Sequence, residues 1–259
     1  MSLAIGVESS GELLMSVPAD ETFFVHEEEY REGDVLVLSS SNAPCHVILQ
    51  FDETLQPSLV YLAGDEFRFS VPFAEKRVCY SPRAFAGKRH LLTARYASSE
   101  EIGLRRNLAL NPHDIHGDTT AYPHASANVE TRGESVFAAR NAIDGLKANT
   151  FHGEWPFTSW GINRDPAARL TVSFGRAVSV NRAVLYLRAD FPHDAWWSSA
   201  TLRFSDGSSL IVSLEKHGGA QSFEFPSKTI DWVSLDTLVK ADDPSPFPAL
   251  TQIEVYGTM

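Results

Sequence analysis

The sequence predicts an all-β protein made of two β-domains. Short apolar runs with period-two alternation recur along its 259 residues, turn signals separate them every ~8–12 residues, and no helical period extends beyond two turns. Domains commonly hold about 100–200 residues, so the length fits one large domain or two modest ones. We place an N-terminal β-sandwich-like domain at 1–98, a polar linker at 99–106 and a second β-domain at 107–259.

The first half contains six candidate strands. Residues 66–71 are the clearest, because polar and apolar side chains alternate as in a half-buried antiparallel strand. The other five candidates are 35–38, 46–51, 58–62, 77–80 and 90–96. Cys45 and Cys79 both lie in this half, and two thiols do not make a disulfide framework. We therefore expect two reduced, partly buried cysteines.

The second half is again rich in candidate strands. They are 169–174, 183–188, 201–204, 209–214, 222–225, 232–235 and 251–256. Asp206-Gly207 between two alternating runs predicts a hairpin turn. A short helix is predicted at 135–143 with Ser135 as its cap, and the prolines of 244–248 predict a stiff loop before the last strand.

Charge excludes two classes of partner. The chain holds 22 Lys and Arg against 33 Asp and Glu, a net charge of −11, and acidic residues are in excess in both halves. Neither half has the basic patch of a nucleic-acid-binding protein, and an anionic membrane surface is disfavoured for the same reason. No apolar run approaches the ~18 residues of a membrane span. The start of the chain lacks the pattern of a signal peptide, which predicts a cytoplasmic protein, or a secreted or cell-surface one if a leader has been removed.

The second half resembles a known family in the order of its motifs. Asn107-Leu-Ala-Leu-Asn-Pro opens it, His124-Ala-Ser-Ala-Asn and Ala139-Arg-Asn-Ala-Ile-Asp-Gly follow, and Leu250-Thr-Gln-Ile-Glu-Val-Tyr-Gly closes it. This set resembles the discoidin-like domains, also called coagulation factor five/eight type C or galactose-binding-like domains, and in particular their bacterial carbohydrate-binding modules. The resemblance covers about 107–257 and implies an antiparallel jelly-roll β-sandwich that receives ligands in loops at one end. It does not extend to 1–106.

The resemblance also implies a structural calcium ion beside the Asp-Gly turn. Calcium prefers six to eight oxygen ligands. The positions that transfer are Asp144 and Glu254 as carboxylates, Asn149 and Thr150 as neutral ligands, and the Asn141 carbonyl. The alternative is that Asp144 forms an Asx turn and that Glu254 is a solvated strand residue. Lys147 departs from the family pattern, because it adds a positive charge near the expected ion.

Sugar binding requires an aromatic face for the pyranose and converging polar groups for its hydroxyls. Two aromatic segments between predicted strands, 152–164 and 188–197, can provide both. The candidate ligand-binding residues are Trp155, Trp196, Trp197, His124, Arg164, Arg188 and His193. Neighbours in a strand alternate faces, so one of Trp196 and Trp197 is expected in the core and the other at the surface. Trp160 is expected in the core. For Arg188, the alternative to sugar binding is a structural ion pair.

These patterns predict a non-catalytic carbohydrate-binding protein whose partner is a glycan. Two alternatives remain: a glycan-acting hydrolase or lyase with its site at the domain junction, and a protein-interaction module. The sequence lacks the GxSxG, P-loop, HExxH and CxxC patterns, so nucleophilic, nucleotide and zinc-protease functions have no motif to support them. The segment from His113 to Asp118 combines histidines with carboxylates but is interpreted as a turn.

Overall fold

The computed structural model describes residues 1–149, 152–189 and 195–259, and all strand pairings within them are antiparallel. The strands of the first half are β1 Leu3–Ser9, β2 Glu12–Met15, β3 Glu21–His26, β4 Val35–Ser40, β5 Cys45–Gln50, β6 Ser58–Leu62, β7 Glu66–Ser70 and β8 His90–Tyr96. Those that follow are β9 Arg106–Asn107, β10 Ala121–Tyr122, β11 His124–Ala127, β12 Trp160–Gly161, β13 Leu170–Leu187, β14 Trp197–Phe204, β15 Ser209–Ser213, β16 Gln221–Lys240 and β17 Ala249–Thr258.

Helical structure is short. The α-helix α1 spans Ser99–Gly103, and 3-10 helices occupy Ala74–Arg77, Thr131–Gly133, Ser135–Phe137 and Ala139–Ile143. Over the described part of the chain, we find no helix with the length and apolar character needed to cross a membrane.

The first sandwich packs a sheet of order β2-β1-β4-β7 against a sheet of order β10-β6-β5-β8-β3. Strands β5 and β7 bury every second residue, so their alternating sequences supply one apolar face each. The ring of Phe51 lies 5.8 Å from that of Phe67 and 5.6 Å from that of Phe69, which makes an aromatic centre for this core. Both cysteines are free and buried, as expected.

The second half forms an antiparallel β-sandwich from strands ordered β12-β17-β13-β16-β14-β15, with β9 on β17 and β11 on β13. Register shifts in β13 and β16 let these long strands change direction while remaining paired. Trp160 and Trp197 are fully buried with ring centroids 6.3 Å apart at the centre of this core. The all-β prediction, with an antiparallel sandwich in the second half, is confirmed.

Several element predictions needed correction. The candidate strands 169–174 and 183–188 are parts of β13, and 222–225 and 232–235 are parts of β16, because pairing continues across the bulges. Residues 77–80 end a 3-10 helix and form a turn, and the first three strands were not predicted. The predicted helix at 135–143 is two 3-10 helices, since Ala138 between them is extended with φ −71° and ψ 153°.

The two sandwiches share structure at their junction. Strand β10 pairs with β6 and so extends a sheet of the first sandwich, and the side chains of Val136, Phe137 and Phe157 join its core. The predicted linker 99–106 is ordered: α1 begins with a capping box, and Glu101 also accepts two hydrogen bonds from Arg95 at 2.6 and 2.8 Å. The junction is therefore packed rather than flexible.

Buried polar groups also cross the junction. Arg140 donates from Nε to the Asp114 carbonyl at 2.8 Å and from Nη2 to the Pro112 carbonyl at 3.0 Å, and its guanidinium lies 4.5 Å from the ring centroid of Tyr80. Burial and the surrounding anionic groups act in opposite directions on Arg140, and its pKa is raised overall, so it is a permanent buried cation. Breaking these contacts would leave two carbonyls without a partner.

His113 also connects the two sandwiches through hydrogen bonds. Its Nε2 accepts a hydrogen bond from the Phe51 amide at 3.2 Å, so the proton lies on Nδ1, which donates to Ser58 Oγ at 3.1 Å. Burial, and secondarily the charge of Arg140, lowers the pKa of His113 to about 3. The interpretation of 113–118 as a structural turn agrees with these contacts.

Candidate functional site

A pocket of about 290 Å³ opens between three loops of the second sandwich. Trp160 and Gly161 of β12 pair with Leu250 and Ala249 of β17, which places the turn that follows β12 beside the proline-rich loop that precedes β17. Residues 131–132 form the third side. The volume lies near the lower end of the range of about 300–1,000 Å³ for ligand pockets.

The pocket combines an aromatic ring with hydrogen-bonding groups. The guanidinium carbon of Arg164 lies 4.4 Å from the ring centroid of Phe247. Thr131 Oγ1 accepts from the Asn163 amide at 2.9 Å and so fixes the turn that presents Arg164. Asn163 and Arg164 are both exposed and both have positive φ, 48° and 61°. His152 also lines the pocket, and none of its described lining residues is acidic.

A larger groove of about 800 Å³ adjoins this pocket at the junction of the two sandwiches. The first sandwich contributes Val78 and Tyr80, and the second contributes Trp155 and Phe157. The pocket and the groove share lining residues, namely Arg132, Phe137 and His152. The two cavities are therefore adjacent parts of one recessed surface.

Two carboxylates line the groove, and both are engaged. Glu134 accepts from Arg132 at 2.6 and 2.8 Å, and this hydrogen-bonded ion pair lowers the pKa of Glu134. Glu75 accepts from the Ser135 amide at 2.6 Å. A hydrolase needs an acid of raised pKa facing a second carboxylate, and Glu134 is shifted in the opposite direction.

Two of the predicted ligand-binding residues line these cavities: Arg164 in the pocket and Trp155, 36% exposed, in the groove.

The interpretation of Trp197 as a ligand platform is wrong. Its side chain is fully buried against Trp160 and offers no face to a ligand. Trp196 is half-buried, packs against the core and has the Lys216 ammonium 5.2 Å from its ring centroid. Trp197 therefore lies inside this core, and Trp196 packs at its edge.

Three further candidates lie elsewhere. Arg188 is buried and donates to the Phe157 carbonyl and to His152 Nδ1, so its prediction as a hydroxyl partner of a sugar is wrong. His124 lies 2.7 Å through Nδ1 from the buried Asp114 carboxylate and lines neither cavity, so it is a structural residue. His193 lies outside the described residues.

The predicted calcium site contains an amide where a cation would be expected. Gln252 Nε2 donates to the Asn141 carbonyl at 2.5 Å and to Asp144 Oδ1 at 2.7 Å. Its orientation is fixed because Gln252 Oε1 accepts from the Gly145 amide at 3.0 Å. Asp144 Oδ1 also accepts from the Leu146 amide at 2.7 Å, which is the Asx-turn alternative. Two of the expected calcium ligands are thus held together by a neutral donor.

Glu254 is engaged by other groups. The Lys147 ammonium lies 2.5 Å from Glu254 Oε1, and the hydroxyls of Tyr186 and Tyr256 donate to Oε2 at 3.3 and 3.2 Å. Asn149 Oδ1 is buried without a partner among the described residues, which is the one feature that favours an ion; Thr150 lies outside them. Calcium favours clustered anionic oxygens, whereas this site places an N–H and an ammonium on its donors, so the residues do not fit calcium.

No specific motif in the sequence selects the other pocket residues. Phe247 lies in the loop predicted to be stiff from its prolines, and His152 and Asn163 lie in the first aromatic segment. A polar or aromatic residue between prolines can indicate a ligand-binding side chain. The rigid loop loses less conformational entropy when a ligand binds. No local sequence pattern indicates that residues 131–132 line the pocket.

One family model matches part of the chain. A family model for a domain of unknown function, DUF7402, matches residues 118–245. No curated protein matches the chain.

Similar solved structures include three binding modules. Chitosan-binding module 1 of the chitosanase/glucanase from Paenibacillus sp. IK-5 is 25% identical, with 59% of this chain and 99% of that chain covered and a TM-score of 0.40. The family 32 module of Clostridium perfringens NanJ, solved with galactose, is 19% identical with 51% and 91% covered and a TM-score of 0.39. A Streptococcus pneumoniae fucose-binding module is 16% identical with 60% and 99% covered and a TM-score of 0.43. These are carbohydrate-binding modules, the class that the sequence resemblance indicated.

Proposed function

We propose that this protein is a non-catalytic glycan-binding protein that binds its ligand in the pocket beside Phe247. The observation that supports this most directly is the pairing of an aromatic ring with the exposed Arg164 and Asn163 in one recess. Such a recess combines an aromatic ring with hydrogen-bond donors, the two kinds of group that bind a pyranose. The resemblance of 107–257 to carbohydrate-binding modules supports the same assignment.

The adjoining groove favours an oligosaccharide over a single sugar. A chain that occupies the pocket can continue past Arg132 and His152 towards Trp155, where a second aromatic ring is exposed. Each added sugar increases the contact area, which offsets the cost of desolvating its hydroxyls. Because arginine and histidine line the pocket and no described lining residue is acidic, neutral or anionic glycans suit it better than cationic amino sugars.

Calorimetric titration with oligosaccharides chosen from a glycan array tests the proposal. We expect binding by the native chain and at least tenfold weaker binding by Phe247→Ala and Arg164→Gln. Phe23→Ala is the matched control, because Phe23 is 66% exposed on the first sandwich and remote in sequence from the pocket loops. Failure of the folded protein to bind any glycan, or equal affinity of Phe247→Ala and the native chain, would refute the proposal.

A further inference from the structure

The first sandwich contains a cluster of potential metal ligands that glycan binding does not use. One ligand atom each from Asp52, Glu53 and His90 lies within 4.8 Å of the others. Strands β5 and β8 are antiparallel neighbours, so the residues that follow β5 meet the residue that opens β8. Asp52 and His90 are buried, whereas Glu53 is exposed and leaves the cluster open to solvent on one side.

The hydrogen bond of His90 favours metal ligation. Its Nε2 lies 3.0 Å from the Gly87 carbonyl oxygen, and a carbonyl can only accept, so Nε2 carries the proton. The neutral ring then has its lone pair on Nδ1. Histidine ligands in metal sites characteristically donate their other ring N–H to a carbonyl or carboxylate in this way, which fixes the tautomer and the ring orientation.

The two carboxylates are held in place and retain free lone pairs. Asp52 Oδ1 accepts from the amide and hydroxyl of Thr54 at 2.8 and 2.6 Å, and Oδ2 accepts only from the Phe85 amide at 2.7 Å. Glu53 Oε1 accepts from the Leu91 amide at 2.9 Å. A carboxylate has about four acceptor positions, so Asp52 Oδ2 and Glu53 Oε2 can each bind a further partner.

Two buried polar groups beside the cluster have no partner among the described residues. Tyr30 is 7% exposed with an unpaired hydroxyl, and its ring lies 4.2 Å from that of His90. His26 is also 7% exposed with Nε2 unpaired, and its ring lies 6.0 Å from that of His90.

An unpaired buried polar group is unfavourable, because it loses its hydrogen bonds to water without a replacement. Here two unpaired polar groups lie beside three potential metal-binding side chains. A bound metal ion with its water would satisfy their remaining hydrogen bonds.

We propose that Asp52, Glu53 and His90 bind a divalent transition-metal ion, with Zn²⁺ the ion that best suits their donors. One imidazole nitrogen and two carboxylate oxygens leave a fourth, tetrahedral position for water. We assign the unpaired Tyr30 hydroxyl as the hydrogen-bond partner of that water. The ion ties the turn after β5 to the loop before β8, and this role is independent of glycan binding by the second sandwich.

Titration of the chelator-treated full chain with ZnCl₂ tests the proposal by calorimetry. We expect about one equivalent of Zn²⁺ to bind the native protein, and at least tenfold weaker binding by Glu53→Gln and His90→Gln. Glutamine at 53 keeps an acceptor for the Leu91 amide, so the fold of that variant is preserved. His217→Gln is the control, since His217 is an exposed histidine on the second sandwich. No binding by the native chain, or unchanged affinity in both variants, overturns the proposal.

Tyr30→Phe provides a second, independent test. Without a ligand nearby, removing an unpaired buried hydroxyl stabilises the protein and changes nothing else. With the proposed site, the metal-free variant is at least as stable as the native chain, yet its Zn²⁺ affinity falls several-fold. Equal Zn²⁺ affinity of Tyr30→Phe and the native chain contradicts the role assigned to Tyr30.

Discussion

The side-chain amide of Gln252 donates a hydrogen bond to the Asp144 carboxylate at 2.7 Å, across 108 positions of the sequence. The same nitrogen contacts the Asn141 carbonyl, so a single neutral group joins the Asp-Gly turn to the last strand. A single hydrogen-bond donor therefore links two groups that the sequence resemblance assigned to a calcium ion.

Calcium should therefore leave the stability of the native protein unchanged. We expect the same melting temperature in millimolar CaCl₂ and in EDTA. Gln252→Glu should behave differently, because it removes the bridging donor and places a second carboxylate beside Asp144. That variant should lose about 1–3 kcal/mol in EDTA and recover part of it in CaCl₂. A calcium-dependent melting temperature of the native chain would contradict this account.

Trp155 and Trp197 should respond oppositely to truncation. Trp197→Ala should cost about 3–5 kcal/mol in unfolding free energy, because it leaves a cavity beside Trp160. Trp155→Ala should change stability little, since its side chain is partly exposed, and should weaken binding of longer oligosaccharides more than of short ones. Chemical denaturation and calorimetry measure the two effects. Equal destabilisation by both changes would show that Trp155 is a core residue.

His113 should make the protein less stable in acid. Its pKa is about 3 in the folded chain and near 6.5 when unfolded, so only the unfolded chain takes up the proton as the pH falls below about 6.5. Stability is present above that pH and is lost progressively towards pH 3, by up to about 1.4 kcal/mol per pH unit.

His113→Gln should flatten this dependence, because glutamine can still accept from the Phe51 amide and donate to Ser58. His116→Gln is the control, since His116 is highly exposed. Denaturation at pH 4, 5.5 and 7 measures the slopes. An identical slope for His113→Gln and the native chain would remove His113 as the cause.

The packed junction predicts that the two sandwiches unfold together. Scanning calorimetry should show one transition, and limited proteolysis should spare 99–106, where α1 is capped and paired with Arg95. Arg140→Ala should destabilise the protein by about 2–5 kcal/mol, because the carbonyls of Asp114 and Pro112 lose their donor. Arg89→Ala, at an exposed ion pair, should have almost no effect. Two separate transitions in the native chain would contradict a packed junction.

The sequence by itself determined the features that depend on residues close to one another along the chain. Period-two alternation identified most strands after residue 35, and the Asp206-Gly207 turn joins β14 to β15 as expected. The family resemblance placed Trp160 in the core, and its side chain is fully buried. These predictions succeeded because strand formation and turn geometry depend on neighbouring residues.

Only the tertiary structure decided the rest. Alternation required Trp196 and Trp197 to face opposite ways but could not show which one enters the core. The pocket joins residues near positions 131, 163 and 247, and the contact of Gln252 with Asp144 spans most of the second half. Such contacts arise from strand order and from side chains that compete for the same hydrogen-bonding groups, and no local pattern in the sequence records that competition.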